Sequence, residues 1–181
     1  MSTWVWVVIA VAAVIVVAVV VAAAMRARRS RGLRDRFGPE YDRVAANAPT
    51  RREAEAELAE RQERREQLDI RPLPPDVRDR FFDAWRDTQA RFVDDPEEAV
   101  VDADTLIQEV MRARGYPVAD FEQRAADVSV DHPEVVNNYR AAHGISVAHE
   151  RGSASTDELR QALIHYRALF NELLETERAR T

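Results

Sequence analysis

The pattern of apolar and polar positions changes abruptly at residue 25. From Trp4 to Met25, all 22 residues are apolar. A helix rises ~1.5 Å per residue, so this run spans about 33 Å, which matches the hydrocarbon core of a bilayer. Trp4 and Trp6 stand at its outer end, where amphipathic rings favour the headgroup region. The pattern predicts a single transmembrane anchor over residues 1–25.

The segment that follows, residues 26–36, is a basic collar. It contains six arginines: Arg26, Arg28, Arg29, Arg31, Arg34 and Arg36. Basic residues beside an apolar span favour the cytoplasmic side, which predicts an external N-terminus and a cytoplasmic C-terminal domain at the plasma (inner) membrane. A cleaved signal peptide is the alternative, but its positive charge precedes a shorter apolar core. The collar can also attract anionic lipids of the bilayer, and specific lipid binding is left open.

Beyond the collar, the apolar positions recur at helical spacing. Phe37, Tyr41 and Val44 begin a stripe that Pro49 ends, and we expect this short helix to pack against the domain. A position on the membrane surface is less favoured, because the acidic side chain of Glu40 would repel anionic lipid.

Charged residues dominate positions 50–69, where Ala54, Leu58 and Leu68 form a thin apolar line. Arg61 and Arg65 stand where further apolar side chains would be needed. So polar a helix is typical of a solvated spacer or a weak coiled coil, and we expect a spacer that reaches about 30 Å from the membrane. Residues 37–70 are thus predicted to be a short helix followed by a charged spacer helix.

Helix start and stop signals divide residues 71–181. Asp95 is an N-cap signal, Gly115 is a left-handed stop signal, and Ser155 opens a capping box. The sequence Asp-His-Pro-Glu at 131–134 repeats the first start signal. Two apolar faces are the strongest: Ala99, Val100, Ala103, Leu106, Ile107, Val110 and Met111, and then Leu159, Leu163, Tyr166, Leu169, Phe170, Leu173 and Leu174. We expect a compact antiparallel bundle of about four main helices within an all-α fold.

Charge and composition exclude several classes of function. The net charge is −6, and residues 37–181 hold 20 arginines and 31 acidic residues, a net charge of −11. An acidic domain argues against nucleic acid as a partner, because nucleic acid needs a basic face. The chain has neither lysine nor cysteine, so lysine and thiol catalysis, disulfides and thiolate metal sites are excluded.

Histidines are the remaining candidates for chemistry. The four are His132, His143, His149 and His165. None has the Glu-x-x-His or His-Glu-x-x-His spacing of helical metal sites, so we expect no metal, no cofactor and no enzymatic activity. The alternative is a ligand-binding or enzymatic bundle whose site is built from scattered residues such as His143, His165 and Tyr166.

Residues 115–133 are rich in aromatic and capping residues but only weakly periodic. One interpretation is a helix corner whose aromatic side chains fill the core. The other is a surface for a cytoplasmic or membrane protein partner around Tyr116, Phe121 and His132.

Several stretches resemble a group of membrane-anchored proteins from high-GC Gram-positive bacteria. They are RFGPEYDR (36–43), LDIRPL (68–73), QARFVDDP (89–96), GYPVADFEQRAADVSVDHP (115–133) and ELRQALIHYRALFNELL (158–174). That group is uncharacterised and brings no activity, so the resemblance implies a bacterial setting and the same architecture alone. The sequence as a whole predicts a membrane-tethered, non-catalytic helical module that acts as a scaffold, adaptor or regulator.

Overall fold

The computed structural model describes residues 3–175, with side chains at positions 4, 6 and 11–174. That range forms eight α-helices and no strand. The helices are α1 (Thr3–Phe37), α2 (Pro39–Asn47), α3 (Arg51–Glu66), α4 (Pro75–Arg91), α5 (Pro96–Arg114), α6 (Phe121–Asp131), α7 (Val136–Glu150) and α8 (Thr156–Glu175). The predicted all-α class is confirmed for the described residues.

The larger apolar core lies between α4, α5, α7 and α8. The two predicted apolar faces are confirmed, because all seven positions named for α5 and all seven named for α8 are buried. Trp85 of α4 stacks on Phe170 of α8 with ring centroids 4.7 Å apart, and Tyr139 of α7 is fully buried in the same core. Burying a large apolar side chain contributes about 1.5–3 kcal/mol, so these contacts hold the four helices together.

A second apolar core joins the segment after the apolar run to the rest of the chain. Its members come from α1, α2, α3 and α6: Leu33, Phe37, Tyr41, Val44, Ala54, Leu58 and Val130. The predicted packing of the short helix against the domain is confirmed, since Tyr41 and Val44 are both buried here. Helix α6 contributes Val130 to this core and Val128 to the larger one, which makes the two cores neighbours.

Helix α1 runs without interruption from the apolar run through the collar. Among the described residues, it is the one helix that is long and apolar enough to cross a membrane, and no other part of the chain covers its apolar stretch. Val14, Val17 and Val20, for example, are 68%, 61% and 61% exposed. The helix therefore has the length and the surface of a membrane span.

Three predicted capping signals are confirmed. The Asp95 carboxylate accepts a hydrogen bond from the backbone N–H of Glu98 at 3.1 Å. The backbone N–H groups of Ser155 and Glu158 each donate to the other residue's side chain, at 2.7 and 3.3 Å. Gly115 ends α5 with φ of 98°, a left-handed conformation that glycine adopts without steric cost. Local signals thus set the ends of these helices.

The predicted helix start at 131–134 is wrong. Helix α6 ends at Asp131, and α7 begins only after an intervening turn. Instead of capping a helix, Asp131 pairs with Arg65 and accepts a hydrogen bond from the Tyr116 hydroxyl at 2.7 Å. The weakly periodic segment contains a complete helix, α6, capped by Asp120. Its periodicity is hidden because polar residues occupy several buried positions: Arg124, Asp127 and Ser129.

The predicted spacer helix is also wrong. Helix α2 reverses the chain, and α3 returns beside α1 instead of extending away from it. Ala54 and Leu58 of α3 are fully buried, and Arg61 is only 7% exposed. Helix α3 is therefore an integral part of the folded domain, packed on both α1 and α6.

Candidate functional site

The candidate site is the junction at which α1 enters the domain, formed by the collar part of α1 together with α2 and α3. Helices α1 and α3 lie side by side and run in the same direction. At the start of α3, Arg51 donates to the Ser30 hydroxyl of α1 at 2.7 Å. Towards its end, Glu63 lines a groove together with Arg36. The beginning of α3 therefore returns to the level of the first collar residues.

Glu40 of α2 is the centre of a buried ion-pair network in this junction. Arg43 donates to both of its carboxylate oxygens at 2.8 Å. Arg61 of α3 donates to it at 2.8 Å and Arg140 of α7 at 3.0 Å. The Glu40 side chain has no exposed surface. One carboxylate thus connects α2 and α3 to α7 of the larger core.

The electrostatics keep Glu40 ionised. Burial alone would raise its pKa, but the hydrogen bonds from Arg43 and Arg61 and the charge of Arg140 outweigh burial and lower the pKa to about 2. Burial lowers the pKa of Arg140, and the nearby Glu40 carboxylate opposes that change. A buried charge of this kind depends on its partners, and removing one partner typically costs about 3–5 kcal/mol.

A second polar cluster fastens the far end of α3 to α6. Arg65 pairs with Asp131, which also accepts the bond from Tyr116. Arg64 lies 3.8 Å from the Asp127 carboxylate, whose side chain has no exposed surface. Burial raises the pKa of Asp127. Helix α3 is therefore held by charge along its length, which explains how so polar a helix packs in the interior.

The structure buries most of the side-chain surface of Tyr116, Phe121 and His132, the three residues of the predicted partner surface. Tyr116 is 2% exposed and His132 is 4% exposed. Phe121 is half-buried and stacks on the ring of His143, with centroids 3.6 Å apart. The turn at Gly115 directs the Tyr116 hydroxyl inward to Asp131. The helix-corner interpretation agrees with this geometry, since these side chains fill space between helices.

Burial favours the neutral form of His132 inside the domain. Burial lowers its pKa, although the hydrogen bond and charge of Glu172 act in the opposite direction. Its Nδ1 lies 3.1 Å from a Glu172 carboxylate oxygen. Because a carboxylate only accepts, the ring donates from Nδ1 to Glu172. The bond joins the end of α6 to α8.

The residues of the alternative site have separate partners. The His165 Nδ1 lies 3.1 Å from the Asn138 side-chain oxygen. The Tyr166 hydroxyl lies 3.1 Å from the Ser146 hydroxyl, and Tyr166 is fully buried. His143 is engaged by the aromatic stack described above. These contacts direct the three side chains to three different neighbours, and the ring of Tyr166 fills the space between α7 and α8.

The collar arginines are distributed around α1, and all six are exposed. Two pairs line grooves beside α3: Arg26 with Arg31, and Arg29 with Arg36. Arg34 instead pairs with an acidic side chain of α2 at 2.7 Å. Two collar arginines thus lie beside the start of α3 and two lie beside its later half.

Within residues 3–175, no group of three or more histidine and carboxylate side chains has the geometry to hold a metal ion. Comparison of the chain with protein-family models, with curated proteins and with solved structures gave no match.

Sequence reasoning did not identify Glu40 and Arg140 as junction residues. They lie 100 positions apart, so no local pattern links them. The available signal was Arg61, which interrupts the apolar line of α3 at a position that faces the core. A buried arginine needs a carboxylate partner to compensate its charge, but the sequence does not identify which carboxylate it is.

Proposed function

We propose that this protein is a membrane-tethered, non-catalytic helical module that acts as a scaffold, adaptor or regulator at the cytoplasmic face of the plasma membrane. The observation that carries the proposal is the continuity of α1. Its exposed apolar stretch leads directly into a segment whose Leu33 and Phe37 lie in an apolar core of the domain. Exposed apolar surface costs about 25 cal/mol per Å² in water, and a bilayer is the cover that this stretch fits by length.

The same continuity suggests how the module works. With α1 built into the domain, the proposed anchor and the domain have no flexible linker between them. The larger core, a bundle of about four main helices, would then be presented at a fixed height and orientation. Such a fixed display suits binding of a cytoplasmic or membrane protein, and the charge of −11 beyond the collar disfavours nucleic acid.

Membrane fractionation and intact-mass measurement test the anchor. The account predicts that the full-length chain stays in the membrane pellet after alkaline carbonate extraction. Release into the supernatant would refute the anchor. A shortened chain beginning near Met25 would instead identify residues 1–24 as a cleaved signal sequence.

The orientation has its own test, because the natural chain contains no cysteine. Single cysteines are introduced as Ser2→Cys and Val93→Cys, the second at a position that is 83% exposed. Intact cells are then treated with a membrane-impermeant thiol reagent. Labelling at position 2 alone is expected, and labelling at position 93 would overturn the cytoplasmic assignment.

A further inference from the structure

A groove lies between α1 and α3, where the apolar run meets the collar. Its volume is about 470 Å³, and its lining includes Ala23, Arg26, Ala27, Arg31, Arg51 and Arg52. Two of these arginines belong to α3 and come close to the collar only because α2 reverses the chain. The groove is therefore a product of the fold, and the sequence of the collar alone does not contain it.

The charge of this groove is strongly positive. Glu55 is the acid on its wall, and it accepts hydrogen bonds from Ser30 at 2.6 Å and from Arg51 at 3.0 Å. The bond from Ser30, more than any other contact, lowers the pKa of Glu55, so this carboxylate stays ionised and offsets the charge of Arg51.

Three further guanidinium groups remain without an offsetting charge. Arg26, Arg31 and Arg52 are all exposed, and within residues 3–175 none of them pairs with a carboxylate. Their charge is therefore available to an anionic ligand.

The arrangement of apolar and basic residues in the groove matches an amphipathic ligand. Ala23 belongs to the apolar run and Ala27 lies one turn further along α1, so the floor is apolar and continues into the exposed apolar surface of the helix. Arg26 lies between these two alanines on α1, and Arg31 lies one turn beyond Ala27, so basic side chains border the apolar floor and continue towards the domain. A phospholipid has the same order, with a phosphate directly above acyl chains. A free phosphate would leave the apolar floor uncovered.

We propose that this groove binds the headgroup of one anionic phospholipid, with its phosphate among Arg26, Arg31 and Arg52 and its upper chain against Ala23 and Ala27. The proposal rests on the proposed function, since a lipid reaches the groove only if α1 spans the bilayer. It goes further than the attraction of a basic collar to a negative surface, because it assigns part of the binding to Arg52 of α3.

The test compares two charge-matched variants of the full-length protein. Arg26→Gln with Arg52→Gln removes two arginines from the groove, and Arg28→Gln with Arg36→Gln removes two collar arginines that lie outside it. Each protein is reconstituted in nanodiscs with equal amounts of phosphatidylcholine and phosphatidylglycerol. The lipid retained after mild detergent extraction is then identified by native mass spectrometry.

The wild-type protein is expected to retain phosphatidylglycerol in preference to phosphatidylcholine. If each arginine that contacts the bound phosphate contributes about fivefold, the groove variant should lose this preference by more than about tenfold, while the control, whose arginines do not contact the bound lipid, keeps most of it. If both variants lose the preference for phosphatidylglycerol equally, the whole basic collar attracts the lipid without a specific groove, and the proposal is overturned. Displacement of the lipid by inorganic phosphate or glycerol phosphate would overturn it in favour of a soluble anion.

Two controls separate this result from other failures. Circular dichroism of both variants checks folding, and Arg52→Gln alone, expected to lose about fivefold, replaces the double variant if that one unfolds. Carbonate extraction of the same proteins checks integration into the membrane. If the wild-type protein is integral to the membrane but shows no preference for phosphatidylglycerol, only the lipid-binding proposal is refuted. If the protein is released from the membrane, the proposed function is refuted.

Discussion

Arg140 of α7 donates a hydrogen bond to the buried carboxylate of Glu40 on α2 at 3.0 Å, although the two residues are 100 positions apart in the chain. Arg61 of α3 donates to the same oxygen at 2.8 Å. The Glu40 carboxylate therefore accepts hydrogen bonds from helices that belong to different apolar cores. A shift of α2 relative to α7 would break the buried bond between Glu40 and Arg140, so this contact opposes relative movement of the two helices.

Replacing Glu40 tests this junction. Glu40→Gln leaves Arg61 and Arg140 with only their more exposed partners, Glu57 and Glu122, and we expect a loss of about 3 kcal/mol in the free energy of unfolding. Urea unfolding in detergent, followed by Trp85 fluorescence in a Trp4→Phe/Trp6→Phe background, measures the loss. The control is Glu60→Gln, since the 72% exposed Glu60 pairs with Arg64 on the surface and should change stability by less than about 0.5 kcal/mol. Equal effects of the two substitutions would contradict the account.

The pH dependence of stability follows from the same carboxylate. Its pKa is lowered from 4.5 to about 2, so on acidification the unfolded state takes up a proton before the folded state does. The stabilisation is complete above about pH 4.5 and is lost as the pH falls towards about 2. The stability gap between the wild-type protein and Glu40→Gln should therefore shrink by about 3 kcal/mol across this range. A gap that stays constant down to about pH 3 would show that Glu40 does not titrate as described.

Two glycines should respond in opposite directions to alanine. A Cβ at Gly115 would lie 2.3 Å from the backbone oxygen of Asp69, and φ there is +98°, so Gly115→Ala should cost at least about 2 kcal/mol. A Cβ at Gly144, inside α7, would meet nothing within 4 Å. Gly144→Ala should therefore stabilise the protein by about 0.5–1 kcal/mol. Thermal unfolding of both variants checks the signs, and a neutral Gly115→Ala would argue against the close approach of α5 to this backbone.

The smaller core can be tested through Phe37, which is fully buried at the end of α1. Phe37→Ala should destabilise the contact of α1 with α2 and α3 by about 3–5 kcal/mol. Amide hydrogen exchange in α2 and α3 should then accelerate by about a hundredfold or more. Val93→Ala, at an 83% exposed position, provides the control and should leave exchange unchanged. Unchanged exchange in Phe37→Ala would mean that α1 is not built into the domain.

The sequence predicted α5 and α8 well because each helix buries one continuous apolar face, which local periodicity reports directly. The helix ends at Asp95, Gly115 and Ser155 could also be predicted from the sequence, since a capping residue acts within one turn of its own position. The all-α class follows from these local features.

Helix α3 was misread for the opposite reason. Arg61 and Arg65 face the interior, and their carboxylate partners Glu40 and Asp131 lie 21 and 66 positions away. A pattern within one helix cannot distinguish a solvated arginine from a buried, paired one. The same limit hid the junction, whose residues come together only when α2 reverses the chain.

The most direct test of an anchored domain folded back on its anchor is the depth of two spin labels. Full-length proteins with Asp35→Cys or Arg52→Cys are labelled and reconstituted in phosphatidylcholine vesicles. Relaxation by oxygen in the bilayer and by a nickel complex in water then reports their distances from the membrane. Since Arg52 lies level with Ala27, the label at 52 should be closer to the bilayer than the label at 35, by about 12 Å. The reverse order, or labels that do not sense the vesicles at all, would contradict the account.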